Sequence, residues 1–272
     1  MAQPDVSLLP GRTVIAVGGE DRHRFLDGLL TAGVEDLAPG DLRYGALLTP
    51  QGKIITDMMI FGEADRIVLD VPSEGAADLV RRLSLYKLRA DVTVRETDEV
   101  VLIGFGDEVR ESAAHDPRAP TLGVRFVAPA ESGEVNVPVL DRYFAARVAA
   151  VVPDAPDDIR LGEAFPHDAN MDLTGGVDFK KGCFVGQEVV SRMRHRGTAR
   201  RRTVAVRGEG PLPDAGEAFT VNGKPVGQMG GGRGGSGLAV LRIDKVAGHV
   251  EAGGVRFDVS VPDGAPFSLA TD

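Results

Sequence analysis

The chain of 272 residues has one cysteine, Cys183, no tryptophan, and aromatic residues at only 5%. A single thiol excludes an internal disulfide and fits a reducing compartment. It also excludes an iron–sulfur cluster held by four thiolates of this chain alone. The histidines, His23, His115, His167, His195 and His249, are scattered, so no short-spaced zinc motif can be composed and no metal site is expected. With so few aromatic side chains a base-stacking platform for single strands is not expected. No apolar run approaches the roughly 20 residues that cross a bilayer, so no membrane span is expected. The N-terminus has neither a basic segment followed by an apolar one nor an Arg-rich amphipathic presequence. Net charge is −9 and the isoelectric point about 5.1, so general nucleic-acid binding is not the default. A cytoplasmic protein is expected, and high Ala, Gly, Arg and Val with few lysines suggests a bacterial one.

Hydrophobic residues make up 43% of the chain, enough for a sizeable core divided among two or three units. The stretch Arg12–Val17 reads as a strand. In "GGEDRHRFLDGLLT", Phe25, Leu26, Leu29 and Leu30 share a helical stripe, and Glu20 and Asp21 suit the positive helix end. "RYGALLTPQGKIITDMMIFG" reads as strand, Gly turn, strand; "DRIVLDVP", "ADVTVRE" and "EVVLIGFG" read as further strands. Ser73 is positioned to cap a helix running to about Tyr86, and "LDRYFAARVAA" suits another helix. Beyond Arg202, short strands alternate with Gly, Asn-Gly and Pro turns, the texture of a small β-barrel. The whole is of α+β class. "GQMGGGRGGSG" lacks the G-K-[ST] and the βαβ context of a phosphate loop and reads as a hairpin.

Three stretches suggest chemistry. In "FKKGCFVGQEVVSRMRHRG", a helix starting near Cys183 would put the thiol in its first turn, where free N–H groups, the helix dipole, Lys180 and Lys181 all favour a thiolate. The plain alternative is a small residue packed at a helix entry. The run from Arg192 to Arg202 contains six arginines in an acidic chain, suiting a carboxylate or phosphate ligand, or else a solvated helix end. Asp57 lies within an apolar strand pattern, where a carboxylate must be paired, hydrated or useful. Met58 and Met59 beside it are expected to form an adaptable wall for a flat ring.

These residues carry a resemblance. "KGCFVGQE", comprising Lys181, Gly182, Cys183, Phe184, Gly186, Gln187 and Glu188, resembles the K-G-C-[FY]-x-G-Q-E signature of the YgfZ-type folate-binding proteins. "FLDGLLTAGVEDLAPGDLRYGALLTPQGKIITDMMIF", "LYKLRADVTV", "DIRLGEAFPHDANMD" and "GLAVLRID" follow in the order expected of that family, so the resemblance covers most of the chain. It implies a factor for assembly or repair of iron–sulfur proteins, indirectly supporting tRNA modification. It further implies a monomer that binds tetrahydrofolate and works with iron–sulfur proteins or their assembly machinery.

The family is similar in fold to the glycine-cleavage T-protein, an aminomethyltransferase. That implies a three-domain ring with a central folate cleft: residues 1–41 and 96–198 as a discontinuous first domain, 42–95 inserted, and 199–272 as the barrel. Asp57, Met58 and Met59 would then meet the pterin, Glu163 would stand in for its displaced carboxylate partner, and Arg192 or Arg194 would attract the glutamate tail. Cys183, with Lys181 and Asp57, would be the functional group facing the cleft. T-proteins typically carry aspartate at the position of Cys183 and a second carboxylate beside Asp57, where this chain has Thr56. The alternative function, a folate-dependent one-carbon transferase, rests on the fold and on Asp57.

Overall fold

The computed structural model describes residues 5–106, 113–197 and 199–271, so the expected domain limit at 198 lies outside the described residues. The elements run β1 (Val6–Leu8), β2 (Arg12–Gly18), α1 (Arg22–Asp27), β3 (Leu42–Leu48), β4 (Ile54–Gly62), β5 (Arg66–Pro72), α2 (Ala76–Tyr86), β6 (Thr93–Glu96) and β7 (Val100–Gly104). They continue β8 (Ala114–His115), β9 (Val124–Ala128), α3 (Val137–Ala150), α4 (Gln187–Arg196), β10 (Arg201–Arg207), β11 (Ala218–Val221), β12 (Lys224–Arg233), β13 (Ser236–Arg242), β14 (His249–Ala252) and β15 (Val255–Ser260).

Antiparallel pairing makes a five-stranded sheet in the order β3-β4-β5-β2-β6, a four-stranded sheet β1-β7-β9-β8, and a closed barrel β10-β13-β12-β11-β14-β15. Strand β2 pairs with both β5 and β6, so the five-stranded sheet crosses the expected limit between residues 41 and 42.

Successive strand residues point to opposite faces, and the five-stranded sheet uses both. One face sends Ile15, Val17, Met58, Ile60 and Leu69 against Leu26 of α1 and Leu79 and Leu83 of α2. The other face sends Val14, Tyr44, Met59, Phe61 and Val68 toward Val101 of β7 and the long segment carrying Ile159, Met171, Phe184 and Val190. The barrel has its own core around Phe219 and Phe257, whose rings meet edge to face at 5.5 Å.

The expected cap of α2 is corrected. Gly75, at φ 87°, precedes the helix and no side chain caps it. The Ser73 hydroxyl instead accepts a bond from Thr13 Oγ1 at 2.9 Å, because Ser73 follows β5 directly and faces the neighbouring strand β2.

Candidate functional site: the cysteine loop and its cleft

The loop before α4 is fastened at several points. Lys181 Nζ donates to the backbone oxygens of Asp27 (2.5 Å), Leu30 (3.0 Å) and Ala32 (2.9 Å), with Asp27 Oδ1 at 3.2 Å. Asp27 ends the short helix α1 and Leu30 and Ala32 lie just beyond it, so the ammonium caps the exit of that helix. Burial depresses the lysine pKa, and Asp27 opposes that shift. Phe184 is buried in the core beneath the sheet. Gly186 has φ 82°, and a Cβ there would stand 2.7 Å from the Thr49 oxygen and 3.0 Å from Gly52 Cα. The motif thus locks onto the β3–β4 turn, where Gly52, at φ 78°, in turn meets Val189 of α4. Gln187 Nε2 closes the loop onto the Gly182 oxygen at 3.3 Å, and Glu188 pairs with Arg192 one turn later. Nothing in the structure explains glycine at 182.

This geometry changes the sequence-based picture of the thiol. The left-handed Gly186 delays the helix to Gln187, so Cys183 lies in the preceding loop and not in the first turn. Lys181 turns its ammonium to the α1 carbonyls, which removes it as a partner for the sulfur. Cys183 itself is exposed and free.

Next to the loop lies a cleft of about 500 Å³ lined by Ala32, Gly33, Leu42, Arg43, Tyr44, Pro117, Gly175, Val177, Asp178, Phe179, Lys180 and Arg194. That volume is in the range of small-ligand clefts. The Arg194 guanidinium stacks 4.0 Å over the Phe179 ring, which holds it at the cleft wall. Tyr44 leads from the cleft to Asp57: its hydroxyl donates to Asp57 Oδ2 at 3.0 Å, and both residues are buried. Asp57 Oδ1 is buried without a partner among the described residues. Burial raises the Asp57 pKa, with Asp154 adding to the effect and Arg12 and Arg118 opposing it. Burial, with the nearby Asp57 charge, holds the Tyr44 hydroxyl well above its usual range.

The other expected site residues separate. Met59 pairs with Tyr44 across the ladder and shares its face, whereas Met58 points into the core under α1 and α2. The two methionines cannot wall one ring, because adjacent strand residues face opposite ways. Glu163 is 68% exposed, beside Arg160, and lines a different cavity with Arg201 and Gln228 against the barrel. Arg192 is exposed and paired with Glu188, while Arg194, two residues on, reaches the cleft. Sequence reasoning missed Arg43, Tyr44 and Phe179; "RYG", one strand before Asp57 and in register with its face, was the available signal for Tyr44.

It also missed a buried ionic network behind the cleft. Asp70 on β5 accepts from Arg12 Nε and Arg125 Nε, each at 2.6 Å, and so joins the two sheets. Arg118 grips Asp116 with two bonds of 3.0 and 2.7 Å, donates to Tyr143 at 2.7 Å and approaches Asp154 at 3.4 Å. Burial would raise the Asp154 carboxyl, yet Arg118, Arg12, Arg147 and Arg125 hold it far below the usual carboxylate range. The Arg118 guanidinium lies 5.3 Å from the Tyr44 ring centre, so the network backs the cleft wall. Among the described residues no group of three or more His, Cys, Asp or Glu could hold a metal ion, and no helix is long and apolar enough to cross a membrane.

Two antiparallel sheets packed together and a closed terminal barrel define a T-protein-like fold. The chain is similar to the glycine cleavage system aminomethyltransferase T from Bartonella henselae, with a TM-score of 0.73 over 95% of this chain and 85% of that one, at 18% identity, a likeness of fold alone. Residues 200–267 match the family described as CAF17, C-terminal beta-barrel domain. The chain is 32% identical to the iron-sulfur cluster assembly factor IBA57, mitochondrial, of Homo sapiens, across 95% of this chain and 84% of the relative. It is 28% identical to the homologue from Pyricularia oryzae, across 96% and 82%. The chain belongs to the IBA57 family of iron–sulfur cluster assembly factors. The YgfZ-type resemblance thus led to the right family under its other name. The expected bacterial cytoplasmic location is overturned, because these relatives and that of Mus musculus are all named as mitochondrial proteins.

Proposed function

We propose that this protein supports iron–sulfur cluster assembly by presenting Cys183 to a cluster or its client protein, next to a cleft that binds a reduced folate. The observation that carries this reading is the exposed sole thiol on a loop fixed by Lys181 and Gly186 and adjoining the cleft. A thiol that is exposed, and whose supporting loop is anchored on both sides, can meet a large partner without rearrangement of the fold.

The cleft chemistry suits folate. Its volume, the Phe179–Arg194 stack, and the cations Lys180 and Arg194 match a flat ring with a carboxylate tail. Tyr44 supplies a polar floor, held from behind by Asp57, whose Oδ1 is buried without a partner among the described residues. A bound folate would supply a one-carbon unit or a reducing ring; the chain's residues orient it and exclude water. Arg194 would hold the tail carboxylates, and Asp57 would orient the Tyr44 hydroxyl from behind. Glu163 and Arg192 have no part in this site.

Anaerobic calorimetric titration with tetrahydrofolate tests the cleft. Saturable binding that Arg194→Ala weakens at least about tenfold is the expected result; no heat up to millimolar ligand overturns folate binding. The thiol is tested separately. Cys183→Ala should fail to restore iron–sulfur enzyme activity in cells lacking the protein, and full restoration would remove the thiol from the mechanism.

A further inference from the structure

We infer that the C-terminal end of α2, with Leu85, Tyr86 and Leu88 at its centre, is a docking surface for an acidic protein carrying an apolar stripe. Helix α2 buries Ala76, Leu79 and Leu83 against the sheet, which accounts for its inward face. Its exit is built differently. Leu85 is 65% exposed, Tyr86 42% and Leu88 88%, the highest exposure among the large apolar residues described. Leu88 buries almost none of its apolar area, so the folded chain gains little from its hydrophobicity.

Leu88 is anomalous on a second, independent count. Lys87 ends the helix, and Leu88 follows in the left-handed conformation at φ 45°. That position is usually glycine and sometimes asparagine, because a Cβ there crowds the backbone. A leucine at this place is unfavourable both for backbone strain and for exposed apolar surface. Glycine or asparagine would relieve both. The fold therefore has no use for this side chain, and a partner does.

Charge identifies the partner's chemistry. From Arg81 to Arg95 the chain carries five basic residues and one acidic residue, Asp91, in a protein whose net charge is −9. Arg81 and Arg82 are paired with Asp78 on the same helix, which leaves Lys87, Arg89 and Arg95 around Leu88. Leu85 closes the last turn of α2 and Leu88 follows just beyond it, and Arg89 and Arg95 are exposed. Arg95 lies on β6, the edge strand of the five-stranded sheet. An apolar knob with cations around it matches an apolar stripe bordered by carboxylates, as on an acidic amphipathic helix. A second copy fits badly, since symmetric pairing would set these cations against each other. A lipid surface fits badly too: two leucines and a tyrosine offer less than the single acyl chain that itself gives only marginal anchoring.

The probe is a helical peptide of about five turns with Leu along one stripe and Glu elsewhere, and its control has Lys in place of Glu. Fluorescence anisotropy of the labelled peptides against the full chain should show saturable binding of the Glu peptide only, weakened by salt. Leu88→Asn should lower its affinity at least about tenfold while raising the thermal midpoint by roughly 2 °C, because asparagine tolerates the left-handed backbone. Arg89→Glu should lower affinity with no change in midpoint. The inference is overturned if the Glu peptide does not bind at millimolar concentration or if Leu88→Asn leaves its binding intact. It is equally overturned if Leu88→Asn instead abolishes binding to vesicles of anionic phospholipid or a concentration-dependent dimer.

Discussion

Tyr44 and Asp57 stand on neighbouring strands of one sheet face, joined by a 3.0 Å bond from the phenol to the carboxylate and closed off from solvent together. Burial and the Asp57 charge make the phenol harder to ionise, whereas the phenol's hydrogen bond favours the ionised carboxylate and only burial and Asp154 oppose it. Tyr44 lines the cleft with Asp57 behind it, and the buried carboxyl gives the protein a pH dependence whose sign can be stated.

Asp57 has its folded pKa raised, chiefly by burial. The native state therefore keeps a proton that the unfolded chain releases above the usual carboxylate range. Its contribution to stability is complete below that range and is lost as pH rises through the folded pKa. Asp57→Asn, which keeps an acceptor for Tyr44, should remove this loss. Thermal midpoints of the two proteins from pH 4 upward should diverge in favour of the variant, and parallel curves would contradict the assignment.

Asp154 should behave in the opposite sense. Despite burial, Arg118, Arg12, Arg147 and Arg125 hold its carboxyl down, so its stabilisation is present above the usual carboxylate range and is lost only in strong acid. Asp154→Asn should destabilise at neutral pH, and the deficit should narrow in acid titrations followed by circular dichroism.

Removing Asp70 would leave Arg12 and Arg125 buried without their common acceptor. Breaking such a buried ionic group from one side costs about 3–5 kcal/mol. Urea unfolding of Asp70→Ala should register a loss of that size, and a loss below about 1 kcal/mol would mean the guanidiniums find water or new partners.

Gly186→Ala places a methyl against the Thr49 carbonyl in a left-handed backbone. A loss of about 1–3 kcal/mol is expected from strain and displaced packing, together with faster alkylation of Cys183 as the loop loosens. Cys183→Ser, at an exposed position, should change stability by no more than about 0.5 kcal/mol. These two variants separate the loop's structural part from the thiol's chemical one.

Within the cleft the same logic distinguishes neighbours in sequence. Arg194→Ala should weaken tetrahydrofolate binding by about tenfold or more, whereas Arg192→Ala and Glu163→Ala should leave the titration unchanged, since Arg192 is paired with Glu188 and Glu163 lines another cavity.

The sequence by itself determined the α+β class, the terminal barrel and the family, because turn residues, strand alternation and the "KGCFVGQE" motif are local signals that survive without coordinates. It marked Cys183 and Asp57 for the same reason: a lone thiol in a motif and a carboxylate in an apolar strand are visible in one dimension. The tertiary structure alone decided what those residues touch. Strand pleat sends Met58 and Met59 to opposite faces, a left-handed Gly186 moves Cys183 out of the helix, and Lys181 spends its ammonium on α1. The bonds of Asp70 to Arg12 and Arg125 span 58 and 55 residues. Such contacts depend on which faces meet after folding, and no local spacing encodes them.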